Sequence, residues 1–115
     1  MKRGDLVTIA VGGDYGKPRP AVVVQADEFS ALSSVTVLRL TSELHGLPTF
    51  RVTIQPTLDN GLRTPSQIMI DRAIALPMAR VGPVFGRVND AAMRAVSRVL
   101  AVFLGLDRVT TSTDR

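Results

Sequence analysis

Short hydrophobic runs, each closed by turn-forming residues, make up most of the first 88 positions of the chain. In residues 50–55, Phe, Val and Ile alternate with Arg, Thr and Gln, the pattern of a strand with one buried and one solvated face. Residues 21–24 are an unbroken Ala-Val-Val-Val, which predicts a strand buried on both faces. Clusters of Gly, Pro, Asn and Asp separate the runs, as in a small barrel or sandwich. Strands are predicted over 6–11, 21–24, 35–40, 50–55, 66–76 and 84–88, with a helical turn within 27–34 and a short turn or helical piece at 77–80.

The one strong helical pattern lies near the end of the chain. Asn89 or Asp90 is the predicted N-cap, and Gly105 is the predicted stop. The sequence therefore predicts a mainly β domain with a mostly antiparallel sheet, closed by a C-terminal helix. This domain is expected to span 1–106, and residues 107–115 are expected to form a polar, flexible tail. Apolar residues recur at helical spacing on one face, which is predicted to pack in the core: Ala92, Val96, Val99 and Phe103.

The composition excludes several kinds of site. A chain of 115 residues has the size of one domain. Cysteine is absent, which excludes disulfides, thiolate nucleophiles and cysteine-ligated zinc, and a single histidine leaves almost no histidine-built metal site. No apolar run approaches the roughly 20 residues of a membrane span, and no signal peptide is recognised. We expect a cytoplasmic domain that uses no metal and no cofactor.

The charge balance is basic. Fourteen Lys and Arg residues stand against ten Asp and Glu, for a net charge of +4, and twelve of the fourteen cations are arginine. Because a guanidinium presents a planar fork of donors that matches a phosphate, an arginine-rich domain is compatible with nucleic acid. A genome of high GC content would produce the same bias without such a function. Both interpretations stay open at this point.

The segment Pro18-Arg19-Pro20 is the most informative candidate for chemistry. Pro20 disfavours helical geometry at Arg19 and Pro18 fixes its own φ, so the arginine leaves a stiffened backbone at the mouth of a buried strand. Such an arginine can be held towards a ligand, or it can simply pair with a surface carboxylate. The sequence has no glycine-rich phosphate loop, no defensible Ser-His-Asp arrangement and no carboxylate pair at a catalytic spacing.

Four segments, in this order and with compatible spacings, resemble the MazF/PemK toxins: Arg-Gly-Asp-Leu-Val at 3–7, Arg-Pro-Ala-Val-Val-Val at 19–24, Leu-Thr-Ser at 40–42 and Ser-Gln-Ile-Met-Ile-Asp at 66–71. With the final helix, the resemblance covers about residues 2 to 104. It implies an SH3-like small barrel of the MazF/PemK/CcdB type. It also implies a homodimeric, cytoplasmic toxin of a type II toxin–antitoxin module, which cleaves single-stranded RNA without a metal.

The resemblance also implies catalytic roles for Arg19 and Thr41. The implied reaction is attack of a ribose 2′-hydroxyl on the adjacent phosphate, which gives a 2′,3′-cyclic phosphate and a 5′-hydroxyl end. Arg19 would neutralise charge on the phosphate, and Thr41 would hold a phosphate oxygen by a hydrogen bond. Because the nucleophile is the 2′-hydroxyl, DNA would not be a substrate.

Four loop residues are further candidates for RNA binding, each with a plainer alternative. Tyr15 is placed to stack on a base, or to plug the end of the barrel. Lys17 is placed for a phosphate, or is an ordinary exposed lysine. Ser42 shares the role of Thr41, or only forms a turn. His45 acts as a general acid or base, or is a solvated surface group.

Position 72 departs from the family pattern. After the strand that ends near residue 70, the family often has an acidic residue, then Gln, then a basic residue two positions later. Here Asp71 is followed by Arg72, and position 74 is Ile. Arg72 is therefore expected to supply the RNA-binding charge from a neighbouring position.

Two alternatives to cleavage remain at this stage. A CcdB-like toxin would bind gyrase without nuclease activity, although that activity depends on a Trp-Gly-Ile-like end and this chain has no Trp. An interaction module of the same fold could have lost the chemistry. The cleavage hypothesis implies an antitoxin partner, expected to be acidic so that it complements the charge of +4 and occludes Arg19.

Overall fold

One antiparallel sheet and one helix make up most of the regular structure of residues 1–11, 17–44, 46 and 50–108, the part of the chain that the computed structural model describes. Single 3₁₀ turns lie at Asp27–Phe29 and Met78–Arg80. The predicted mainly β domain with a C-terminal helix is confirmed. In chain order, the elements are β1 (Asp5–Ile9), β2 (Arg19–Val23), β3 (Ser34–Thr41), β4 (Arg51–Ile54), β5 (Ser66–Pro77), β6 (Val81–Arg87) and α1 (Asp90–Phe103).

The strands lie in the order β4-β5-β3-β2-β1-β6, and each neighbouring pair is antiparallel. The long strand β5 has an irregularity where it passes β3. Leu38 pairs with Ala73 but Leu40 pairs with Ile68, so residues 69–72 of β5 lie opposite Arg39 alone. A bulge bends the strand that carries it and disrupts the ladder locally. The bend directs the first part of β5 along the edge strand β4.

Side chains bury on both faces of the sheet. Residues 21–24 are all buried, as their unbroken apolar run predicts. Fully burying an aliphatic side chain contributes about 1.5–3 kcal/mol, so the two clusters stabilise the sheet from both faces. One cluster packs against α1 and contains Leu6, Val22, Val24, Leu38, Leu40, Ile54, Ile68, Ile70, Val88, Met93 and Val96; the other contains Val7, Ile9, Ala21, Val23, Val35, Val37 and Leu76.

Helix α1 begins where the sequence predicts. Oδ1 of Asn89 accepts a hydrogen bond of 2.8 Å from the backbone N–H of Ala92, which makes Asn89 the N-cap. Along the predicted apolar face, Val96 is fully buried but Phe103 is 49% exposed, with its ring centroid 6.5 Å from that of Phe50. The buried face of the helix therefore narrows towards its C-terminal end. No helix in the described ranges is long and apolar enough to cross a membrane.

Several strand boundaries differ from the sequence prediction, and β1 ends at Ile9 rather than at residue 11. Strand β2 begins at Arg19 rather than at residue 21, and β6 begins at Val81 rather than at 84. Pro83 lies inside β6, which is tolerated because β6 is an edge strand with one unpaired side. Of the predicted polar tail, residues 109–115 lie outside the described residues.

Candidate active site

Arg19 is the first residue of β2, directly after Pro18 and before Pro20. It pairs with Ile9 of β1, so its backbone is held by the sheet while its side chain is exposed. The two prolines restrict the backbone on either side of this point. The strand thus presents a guanidinium from a fixed position at the end of the sheet.

Thr41 is the last residue of β3 and is only partly exposed. Its Oγ1 accepts a hydrogen bond of 3.0 Å from the backbone N–H of Glu43. A hydroxyl that bonds to the backbone two residues later is a local alternative to continued strand pairing. This turn ends β3 and holds the hydroxyl at the strand terminus.

The register of β2 and β3 brings these two residues together. Ala21 pairs with Arg39, Val22 with Leu38 and Val23 with Val37. The same register, extended by two residues, places Arg19 directly opposite Thr41. Residues opposite each other in an antiparallel pair project from the same face, with Cβ atoms about 4.5–5.5 Å apart. A guanidinium and a hydroxyl therefore share one small area of surface.

This surface is one side of a cleft of about 590 Å³. Three arginines line the cleft (Arg19, Arg39 and Arg63), against one carboxylate, that of Glu43, among the described lining residues. Such a balance attracts an anion. The full lining is Arg19, Pro20, Arg39, Leu40, Thr41, Ser42, Glu43, Leu62, Arg63, Thr64, Ser66 and Met69.

Gln67 continues the row of polar side chains across the sheet. It pairs with Thr41 on β3 and with Thr53 on β4. Gln67 is only 4% exposed, and its Nε2 donates to Oγ1 of Thr53 at 3.3 Å. The strand next to Thr41 is thus anchored by a buried amide.

The rim formed by Leu62 and Arg63 depends on Asn60. Asn60 is 3% exposed, and its Oδ1 accepts hydrogen bonds from the backbone N–H groups of Thr57 at 3.0 Å and Leu62 at 2.9 Å. Its Nδ2 donates to the backbone carbonyl of Gln55 at 2.9 Å. The buried amide of Asn60 therefore stabilises the loop that carries Leu62 and Arg63.

Of the five predicted RNA-binding residues, three lie in the described part of the chain, and only one of those is found in the lining of the cleft. Ser42 lines the cleft. Lys17 and Arg72 are exposed and do not contribute to its lining. Tyr15 and His45 lie outside the described residues.

Arg72 and Arg51 both flank Asp71. Nε of Arg72 lies 3.5 Å from Oδ2 of Asp71, and Nε of Arg51 lies 3.9 Å from Oδ1. The alternation of residues 50–55 predicts Arg51 on a wet face, but its side chain is only 12% exposed, with its guanidinium carbon 5.8 Å from the centre of the Phe50 ring. The nearby carboxylate and ring accommodate this burial, as the bulge in β5 brings Asp71 beside β4.

Two arginines that line the cleft were not among the sequence candidates: Arg39 and Arg63. Arg39 has a signal in the sequence, because it precedes Thr41 by two residues in a strand and therefore shares its face. Arg63 reaches the cleft only through the loop before β5, and Gln67 lies beside Thr41 only through the pairing of β5 with β3. Short-range patterns do not encode such contacts.

A second cleft, of about 620 Å³, lies between β4 and the start of α1. Its polar groups are already used within the fold. Nη1 of Arg87 lies 3.0 Å from Oδ1 of Asp5, Asn89 caps the helix, and Asn60 holds its own loop. The slightly smaller cleft at Arg19 is the better candidate, because its lining combines an excess of positive charge with an exposed arginine and a strand-end hydroxyl.

The arrangement at Arg19 and Thr41 can bind a phosphate and stabilise charge that develops on it. Its donors are a guanidinium and a hydroxyl on neighbouring strands, held in place before any ligand arrives. In the part of the chain that the structure describes, no group of three or more His, Asp or Glu side chains is placed to hold a metal ion.

Comparison with known proteins places this chain in a family. Residues 2–104 match the model for the PemK-like, MazF-like toxin of the type II toxin–antitoxin system. A protein of Mycolicibacterium smegmatis, named as a probable endoribonuclease MazF, is 41% identical over 107 residues, which cover 92% of this chain and 98% of the relative.

Solved structures agree on the fold. An endoribonuclease in complex with its cognate antitoxin from a mycobacterial species has a TM-score of 0.78 at 24% identity, with 92% of this chain and 96% of that chain covered. The Mycobacterium tuberculosis toxin MazF-mt6 has a TM-score of 0.75 at 20% identity, covering 88% of this chain and 96% of that one. The chain therefore belongs to the family of PemK-like and MazF-like toxins of type II toxin–antitoxin systems.

Proposed function

We propose that this chain is a toxin that acts as an endoribonuclease, cleaving single-stranded RNA at short sequence motifs without a metal ion, and thereby inhibits translation and growth. The observation that carries the proposal is the placement of Arg19 opposite Thr41 at the end of an arginine-rich cleft. The 41% identity to a probable endoribonuclease over nearly the whole chain supports cleavage over a gyrase-binding role.

In the proposed reaction, the 2′-oxygen of a ribose attacks the adjacent phosphorus. A 2′-O–P bond forms and the P–O5′ bond breaks, so the products are a 2′,3′-cyclic phosphate and a 5′-hydroxyl. The net proton movement is from the 2′-oxygen to the departing 5′-oxygen. The protein therefore needs no nucleophile of its own.

Arg19 and Thr41 act on the phosphate in this reaction. The guanidinium of Arg19 stabilises the negative charge that grows on the non-bridging oxygens in the transition state. The hydroxyl of Thr41 donates to one of those oxygens. Ser42 lies next to Thr41 in the cleft and binds the sugar–phosphate backbone beside it.

The remaining predicted contacts complete the RNA path. Tyr15 stacks on a base, His45 transfers a proton, and Lys17 and Arg72 bind phosphates outside the cleft. The surface beyond the cleft is thus extended by two exposed cations.

The proposed partners follow from the family and the charge. Relatives include an endoribonuclease with its cognate antitoxin and a MazE–MazF pair from Deinococcus radiodurans. We propose that this chain works in the cytoplasm as a homodimer, with an antitoxin whose acidic segment covers Arg19. The net charge of +4 favours that complement.

Cleavage of a long single-stranded RNA in EDTA, with analysis of both new ends, tests the proposal. Wild type is compared with Arg19→Ala and with Arg98→Ala, a matched change at an exposed arginine of α1 outside the cleft. We expect 5′-hydroxyl ends from wild type and Arg98→Ala, and no cleavage by Arg19→Ala. Intact RNA after incubation with folded wild type would overturn the proposal.

A further inference from the structure

Arg39 lines the same cleft as Arg19 and Thr41 but has no part in the cleavage step described above. It precedes Thr41 by two residues on β3, and it pairs with Ala21, which follows Arg19 by two residues on β2. Arg39 is therefore the diagonal neighbour of Arg19 on one face of the sheet. Diagonal neighbours lie about 7–8 Å apart, within reach of long side chains.

Arg39 has a small residue across from it on β2 and an irregular segment across from it on β5. Ala21, across β2, contributes only a methyl group. On the other side, the bulge of residues 69–72 replaces a regular partner from β5, with Met69 in the wall of the cleft. Bulges are common beside active sites, where they terminate pairing or redirect a side chain.

Burial distinguishes Arg39 from the other cleft arginines. Arg19 and Arg63 are exposed, whereas Arg39 is partly buried at the side of the cleft. A charge with less water around it interacts more strongly with a nearby anion. Two residues along a strand span about 6.6 Å, so an anion at Arg39 lies beside, and not on top of, the anion at Thr41.

Given the proposed function, on which this step rests, we propose that Arg39 binds the phosphodiester next to the scissile one. The site then takes an oligonucleotide with at least two consecutive phosphates, and a single phosphodiester is a poor substrate. Arg39 is a binding residue in this arrangement, and Arg19 and Thr41 remain the residues that contact the scissile phosphate.

The test uses short RNAs that span a cleavage position mapped on a long RNA. Each flanking phosphate is replaced in turn by an uncharged methylphosphonate, and kcat/KM is measured for wild type and Arg39→Gln. We expect one replacement to lower kcat/KM of wild type about tenfold, as does Arg39→Gln on unmodified RNA. The same replacement should then lower kcat/KM of Arg39→Gln by less than about twofold, because the replacement and the substitution remove the same contact.

Salt dependence and matched variants separate binding from a structural role. Loss of one phosphate contact lowers the slope of log(kcat/KM) against log(salt) by about 0.7 for a single strand. Arg39→Lys should keep that slope, and Arg98→Gln should keep both slope and rate. Wild type that tolerates every neutral flanking phosphate overturns the inference, and this arm does not depend on the folding of any variant. The inference is also overturned if the phosphate replacement lowers kcat/KM of Arg39→Gln by the same factor as that of wild type.

Binding of 2′-O-methyl RNA, which cannot be cleaved, is measured in parallel. Arg39-dependent binding without cleavage of natural RNA would overturn the proposed function alone. Cleavage that is indifferent to Arg39 would overturn this inference alone. Absence of both cleavage and Arg39-dependent binding would overturn both.

Discussion

The backbone N–H of Glu43 donates a hydrogen bond of 3.0 Å to Oγ1 of Thr41. One acceptor position of the hydroxyl is therefore filled, and its proton is left to donate in another direction. Thr41 lines the cleft, so a phosphate oxygen bound there meets a hydroxyl already oriented by the backbone. The turn that ends β3 thus also prepares the donor.

Thr41→Val tests this donor. Valine keeps the branched shape but cannot donate, so we expect kcat to fall about 10²–10³-fold, the usual cost of one transition-state donor. Thr41→Ser retains the hydroxyl and should stay within about tenfold of wild type by single-turnover cleavage. Equal activity of the valine and serine variants would show that the hydroxyl has no role.

Arg19→Lys separates charge from geometry. Lysine keeps the positive charge but loses the planar fork that binds two phosphate oxygens at once. We expect a rate about 10- to 100-fold below wild type, between those of wild type and Arg19→Ala. Because Arg19 is exposed at the start of β2, the melting temperature should be nearly unchanged. A lysine variant as fast as wild type would contradict bidentate binding.

Asn60→Ala should lower the free energy of unfolding by about 2–4 kcal/mol, because three backbone groups lose their buried partner. Cleavage should fall as well, since this loop carries Leu62 and Arg63 to the cleft. Urea denaturation measures the loss. Asp59→Asn, at the exposed neighbouring residue, is the control and should be nearly neutral. An unchanged free energy of unfolding in Asn60→Ala would show that the loop does not depend on the hydrogen bonds of Asn60.

Arg51→Gln and Arg72→Gln remove the two cations beside Asp71, with different expected costs. Arg51→Gln leaves a buried carboxylate oxygen without its nearby cation and should cost about 1–3 kcal/mol of unfolding free energy. Arg72 is 56% exposed, so its ion pair should contribute less than about 1 kcal/mol. Urea denaturation in low and high salt compares them. Equal costs for the two variants would mean that burial of Arg51 has no energetic consequence.

Much of the fold could be predicted because turn residues and strand alternation are local signals. Residues 21–24 and the N-cap at Asn89 follow directly from such signals. Strand β6 begins three residues before the predicted start, and it includes Pro83, which the edge position of the strand makes acceptable. The burial of Arg51 was missed, since the partner that surrounds it comes from a distant bulge.

The candidate site was only half accessible from the sequence. The prolines around Arg19 and the family motifs pointed to Arg19, and the family motifs alone pointed to Thr41. The placement of these two residues opposite each other depends on a register that no local pattern fixes. Arg39 and Gln67 resemble ordinary polar positions on strands. Their position next to Arg19 and Thr41 becomes visible only in the folded sheet, where β3 lies between β2 and β5.

The proposed activity also depends on the register that pairs β2 with β3. A slip of one residue would turn every side chain of one strand to the opposite face, and Arg19 would no longer share a surface with Thr41. In the proposed mechanism, a chain paired in the wrong register would not hold Arg19 and Thr41 at one phosphate. Nuclease activity by the proposed mechanism therefore requires the correctly paired sheet.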